Sequence, residues 1–131
     1  MTRALLILVL LTAAPAHSAV YLVGPEMPYK KPSDVAKVAK DGDIIEIEAA
    51  DYTGDAAVWT QNDLLIRGVG GRPHIIADGV AAEGKAIWVI KGDNTTVENI
   101  EMSGATVADE NGAGIRLEGT NLTVRGCFFH D

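Results

Sequence analysis

The sequence has little of what would place it in several common protein classes. Cys127 is the single cysteine in 131 residues, which excludes an intramolecular disulfide. Basic residues are outnumbered, with 11 Lys and Arg against 18 Asp and Glu, for a formal net charge of −7. Such a balance lacks the basic face that nucleic-acid phosphates attract, so nucleic acid is excluded as a partner. No apolar run reaches the roughly 20 residues that a spanning helix needs, so the chain does not read as an integral membrane protein. The longest run, Ala4 to Leu11, follows Arg3 and precedes Ala14-Pro15-Ala16 and Ser18-Ala19. A positive start, a short apolar core and small residues at a cleavage site mark a secretory signal peptide. We read residues 1–18 as that peptide, with cleavage between Ala16 and Val20 and a mature protein that is secreted or periplasmic. Its removal takes away one Arg and no acid, leaving the chain one unit more negative. No cysteine follows the apolar core, so a lipid anchor has no support there. Two further signatures are missing. The stretch "GVGGRP" from Gly68 has Pro73 where a dinucleotide fingerprint needs its third glycine, and a strand rather than a helix is predicted behind it. The Gly-Gly-x-Gly-x-Asp repeat of calcium-binding β-rolls is absent as well.

What is present is repetition. "GIRLEGTNLTVRGCFFHD", from Gly114 to Asp131, is a reworked copy of "IWVIKGDNTTVENIEMS" at an offset of 27. Trp88 meets Ile115, Gly92 meets Gly119, Asn94 meets Asn121, Val97 meets Val124, Ile100 meets Cys127 and Met102 meets Phe129. An earlier copy, "VWTQNDLLIRGV", joins at an offset of 31, pairing Trp59 with Ile90, Asp63 with Asn94, Ile66 with Val97 and Val69 with Ile100. A spacing in this range, with short strands and no helix inside it, marks a solenoid. Within a copy, residues 95 and 97 share one face by alternation, and so do 100 and 102, so the two-residue period slips between them. Asn99, Gly126 and Gly68 sit at that slip, and Asn and Gly most readily accept a left-handed backbone. A second corner falls at "TQND", "KGDN" and "EGTN". Three short strands and two tight corners, followed by a longer loop, make one triangular coil. Stacked coils put Ile66, Val97 and Val124 in one inward column, and Val69, Ile100 and Cys127 in another. Arg67, Glu98 and Arg125 form an outward column of alternating sign, which favours stacking. Upstream, "KKPSDVAKVAKDGD" predicts a short helix that covers the end of the solenoid. Ser33 is its N-cap, Val35, Val38 and Ala39 lie on one face, and Gly42 is the stop. "DIIEIEA" follows as a strand with Ile45 and Ile47 inward.

With "NDLLIRGVGGRPHIIADG", "NTTVENIEM" and "GTNLTVRGCFFHD" in these places, residues 33 to 131 resemble the right-handed parallel β-helix family, the pectate-lyase-like superfamily. The expected fold is therefore an all-β right-handed parallel β-helix of about three coils. The expected organisation is a signal peptide (1–18), an N-terminal segment with a capping helix (19–43) and coils from 44 to 131. No capping helix or polar last rung follows Phe129, so the chain reads as truncated at its C-terminus. The bare edge would then self-associate. The resemblance also implies that an Asn at the bend after the second strand forms a ladder between coils. Asn99 holds that place, while Gly68 and Gly126 interrupt it.

Candidate chemistry is sparse, and neither catalytic nor metal-binding residues can be assigned from the sequence. Asp109, Glu110 and Asn111 lie in the long connection "ATVADENGAG", where oxygen ligands could hold Ca²⁺; the resemblance implies Ca²⁺ bridging enzyme and uronate in the lyases. His74 reads as a surface or corner residue, His130-Asp131 as the start of a loop, and Cys127 as an inward apolar group. Asn94-Thr95-Thr96 and Asn121-Leu122-Thr123 match glycosylation acceptors, but their positions serve the turn. Arg116 is the only basic residue on the last copy of the first strand, and its counterpart is Val89, so no charged groove assembles there. Two classes of function stand side by side. By resemblance, the chain is a lyase, epimerase or hydrolase acting on, or a protein binding, extracellular polysaccharide. The alternative is a non-catalytic surface, adhesin or glycan-binding solenoid. No cofactor is expected beyond that Ca²⁺.

Overall fold

The structure, a computed structural model, describes residues 18–131; the signal-peptide reading of residues 1–18 falls almost wholly outside them. The elements are β1 (Val20–Val23), α1 (Pro32–Ala36), β2 (Ile44–Glu48), β3 (Asp51–Thr53), β4 (Ala57–Trp59), β5 (Leu65–Val69) and β6 (His74–Ile76). They continue as β7 (Ala86–Ile90), β8 (Thr95–Glu98), β9 (Glu101–Ser103), β10 (Ala113–Leu117), β11 (Leu122–Arg125) and β12 (Phe128–His130). Three parallel sheets wrap one core, in the orders β1-β2-β5-β8-β11, β3-β6-β9-β12 and β4-β7-β10. The chain visits the sheets in rotation, so β2–β4, β5–β7 and β8–β10 are successive turns, and β11–β12 begin another. β1 adds a rung below β2 that the sequence reading did not anticipate.

Register follows the repeat. Ile66, Val97 and Val124 align across β5, β8 and β11, and Trp88 aligns with Ile115. Trp59 and Trp88 meet edge to face in the core at 5.4 Å between ring centroids. The outward charges extend one rung further than expected: Glu46, Arg67, Glu98 and Arg125 stack in register. Ion pairs close within it between Arg67 and Glu46 at 3.0 Å and between Arg125 and Glu98 at 3.3 Å.

The corners explain how a short repeat can close. Asp63, Asn94 and Asn121 all have φ near +60°, and their side chains form a ladder. Asn121 Nδ2 donates to Asn94 Oδ1 at 2.8 Å, and Asn94 Nδ2 donates to Asp63 Oδ1 at 3.1 Å. A ladder thus exists, but at this corner and not at Asn99. Gly92 and Gly119 are needed beside it, because a Cβ at either would lie within 2.0 Å of a backbone carbonyl oxygen on the neighbouring coil.

At the other corner Asn99 and Gly126 have φ of 57° and 60°, as expected, but Gly68 does not take a positive φ. The β5–β6 corner is wider. The offset is 31 at Ile66–Val97 but 27 at His74–Glu101, so four extra residues sit there. Gly70 and Gly71 make the left-handed bend instead. Asn99 Nδ2 fills the space by donating to the carbonyls of Gly68 and Gly71. Val69 consequently leaves the inward column. It pairs with Glu48 and lines an outer groove with Leu22, Met27 and Glu46. Buried Pro73 takes its place before Ile100, and the Glu101 amide donates to the Pro73 carbonyl. Cys127 is half-buried against the core, in line with its inward column.

The helix covers the end of the solenoid against β1 and β4, with Val35, Ala36 and Ala39 buried. Two details differ from expectation. Lys31 occupies the N-cap without a side-chain bond, and Pro32 opens the helix. Ser33 instead reaches across to buried Asp55, whose carboxylate accepts from both the Ser33 amide (3.1 Å) and its hydroxyl (2.5 Å). A remote carboxylate thus satisfies a donor of the first turn, which a local serine does elsewhere. Val38 is 44% exposed, because the helix ends at Ala36 before that position can face inward.

Candidate functional site on the outer face of the β3-β6-β9-β12 sheet

Three-residue strands separated by tight corners present two outward positions per turn. In register these are Asp51, His74, Glu101 and Phe128 in one row. Thr53, Ile76, Ser103 and His130 form the other. Tyr52, Ile75 and Met102 point into the core beneath them. The sheet therefore brings together side chains from four successive turns.

At the centre is Glu101. Its Oε2 lies 2.6 Å from His130 Nε2 and 3.5 Å from His74 Nε2. His74 Nε2 is also 2.6 Å from Ser103 Oγ, while His74 Nδ1 faces Asp51 Oδ1 at 3.8 Å. His130 Nδ1 faces the carbonyl of Asp131 at 3.2 Å. The side chains of His74 and Glu101 are 24% and 25% exposed, so the group is half-sheltered and reachable. The His130 hydrogen bond, with both imidazoles and Arg72 adding favourable charge, holds the Glu101 carboxyl below its usual range. Phe128 stacks on His130 with ring centroids 4.4 Å apart and planes 25° from parallel, and it is 49% exposed. Arg72 Nε donates to the Gly126 carbonyl at 2.8 Å, clamping the wide corner beside the row.

One expectation is revised here. His130 belongs to β12 and not to a loop, and His74, read as a surface or corner residue, opens β6 with its ring centroid 5.5 Å from that of His130. Glu101 was not singled out from the sequence. The 27-residue offset contains the signal, since it places His74, Glu101 and Phe128 in one row and Ser103 beside His130 in the next.

Elsewhere, Asp109, Glu110 and Asn111 are all exposed, and only Glu110 lines a shallow cavity with Ala105, Thr106, Val107 and Gly112. Arg116 aligns with Val89, as the sequence implied. It joins a paired group in which Glu118 accepts from Arg116 and Lys85, and Glu83 from Lys91. Asn94 and Asn121 are held in the corner ladder, matching their reading as turn residues.

These sheets and corners define the chain as a right-handed parallel β-helix. It is similar in fold to a pectin methylesterase variant solved in complex with a hexasaccharide. The TM-score is 0.60 at 16% sequence identity over 88% of this chain, and this chain spans 49% of that one. No family model matches the sequence, and no curated protein matches it. No helix among the described residues is long and apolar enough to cross a membrane.

Proposed function

We propose that this protein is a secreted β-helix that binds or acts on extracellular polysaccharide, with the glycan lying along the outer face of the β3-β6-β9-β12 sheet. The observation that carries this reading is the exposed Phe128–His130 stack set beside Glu101, His74 and Ser103. Sugar rings offer apolar C–H faces and hydroxyl rims. An exposed aromatic ring flanked by carboxylate, imidazole and hydroxyl groups suits both. The face runs across several turns at about 4.8 Å per rung, a surface fitted to an extended chain rather than to a compact ligand. A fold neighbour that holds a hexasaccharide supports the same ligand class. The Glu101–His130 pair also supplies a proton donor and acceptor at one edge of the surface, which a lyase, epimerase or hydrolase would require. The alternative, a non-catalytic glycan-binding solenoid, needs only the stacking surface. The net charge of −7 disfavours an unassisted polyanion, so neutral or esterified glycans are expected to bind better than uronates.

Titration with a panel of neutral, methyl-esterified and acidic polysaccharides, followed by product analysis, tests this. Binding that weakens about tenfold in Phe128→Ala is expected, the loss corresponding to one aromatic contact of about 1.4 kcal/mol. Absence of binding across the panel, or binding indifferent to Phe128→Ala, overturns the proposal. Chain cleavage or new unsaturation in the products separates the catalytic reading from the passive one.

A further inference from the structure

We infer that His74, Glu101 and His130 form a binding site for a divalent transition metal of zinc type. This inference stands on the donor geometry and does not rest on the glycan reading. One donor atom from each residue lies within 4.8 Å of the other two, each from a different, adjacent strand of one rigid sheet. Two imidazole nitrogens and one carboxylate oxygen are a donor set that suits zinc. They leave a fourth position for water or a ligand. Bonds of about 2.0–2.1 Å place tetrahedral donors about 3.3 Å apart. The His74–Glu101 separation of 3.5 Å already meets that edge, and His130, at 2.6 Å from Glu101, has to open by about 0.7 Å.

The outer partners agree. A metal-bound imidazole ordinarily turns its other nitrogen to a carboxylate or carbonyl, which fixes the tautomer. His130 Nδ1 lies 3.2 Å from the main-chain oxygen of Asp131, and His74 Nδ1 lies 3.8 Å from the exposed Asp51 carboxylate, which has to close in to bond it, while both Nε2 atoms lie against Glu101. Ser103 Oγ, 2.6 Å from His74 Nε2, has to turn off that nitrogen when a metal takes it, which a hydroxyl does by rotation about one bond. Hard cations are disfavoured, because Ca²⁺ takes six to eight oxygens and this centre offers few.

Calorimetric titration of Zn²⁺ into the tag-free full chain tests the site, with His17→Ala as background so that the remaining histidine contributes nothing. One equivalent binding at about 1 μM or tighter is expected, with Co²⁺ giving the visible absorption of a low-coordinate site. His130→Gln and His74→Gln should each weaken binding about 100-fold or more, and Asp51→Asn about tenfold. Ca²⁺ and Mg²⁺ at about 1 mM should not compete. No saturable Zn²⁺ binding by a protein whose circular dichroism shows it folded, or equal affinity in the histidine variants, overturns the inference. No glycan enters the experiment, so its outcome is independent of the polysaccharide test. If His74→Gln fails to fold, His130→Gln, on the outermost strand, decides alone.

Discussion

Asn121 Nδ2 donates to Asn94 Oδ1 at 2.8 Å, one coil to the next, with both residues in the left-handed region. The two requirements converge on one residue type. Asn tolerates φ near +60°, and its amide both donates and accepts, so it can pass a hydrogen bond along the stack.

Replacing Asn94 separates these contributions. Asn94→Ala loses both ladder bonds and keeps the strain, for an expected cost of about 2–3 kcal/mol. Asn94→Gly loses the bonds alone and should cost about 1 kcal/mol less than the alanine variant. Urea unfolding of the two variants measures the difference; equal costs would mean that the backbone strain is relieved elsewhere.

Asp55 ties the end-covering helix to the turn before β4. Its burial pushes the carboxyl up, and the Ser33 bonds partly offset that. Asp55→Ala leaves the Ser33 amide and hydroxyl without their acceptor and is expected to cost about 1–3 kcal/mol. Limited proteolysis should then cut first between Pro25 and Lys40. Unchanged protection of that segment would show that packing of Val35 alone holds the helix.

Tyr52 sits in the core with its hydroxyl donating to the Glu48 carbonyl at 2.7 Å. Burial, with the Glu48 charge, pushes its pKa up to about 12. A raised folded pKa means stability that is complete below the unfolded value of about 10 and is lost as pH rises toward 12. Ultraviolet titration should show one of the three tyrosines ionising last, and Tyr52→Phe should remove that step. Stability falling in the same window in the phenylalanine variant would assign the loss to another group.

The last described rung exposes Leu117, Val124, Phe128 and Phe129, with Gly114, Ile115 and Leu122 lining a cavity beside them. Unpaired strand edges of β10, β11 and β12 take up whatever strand arrives. We expect a chain that stops at this rung to self-associate through this edge, with sedimentation that depends on concentration. Val124→Lys should shift it toward monomer. A monomer at all concentrations would refute the expectation.

The sequence alone determined the repeat, and with it the parallel stack. Inward columns such as Ile66–Val97–Val124 recur at fixed offsets, and Asn or Gly recurs where the backbone must turn left-handed. Those signals are local, because strand alternation and left-handed corners depend on each residue's own side chain and backbone. Only the tertiary structure decided what depends on corner width and on neighbouring rungs. Four extra residues after β5 moved the bend to Gly70 and Gly71, turned Val69 outward and put Pro73 in the core. Asp55 reaches Ser33 from 22 residues away, so no local pattern revealed that helix anchor. His74, Glu101 and His130 are each unremarkable in their own turn. They become a site because parallel register stacks Glu101 on His74 and sets His130, over Ser103, in the adjoining row, and rung-on-rung packing of the core, rather than any preference of the three residues, sets that register.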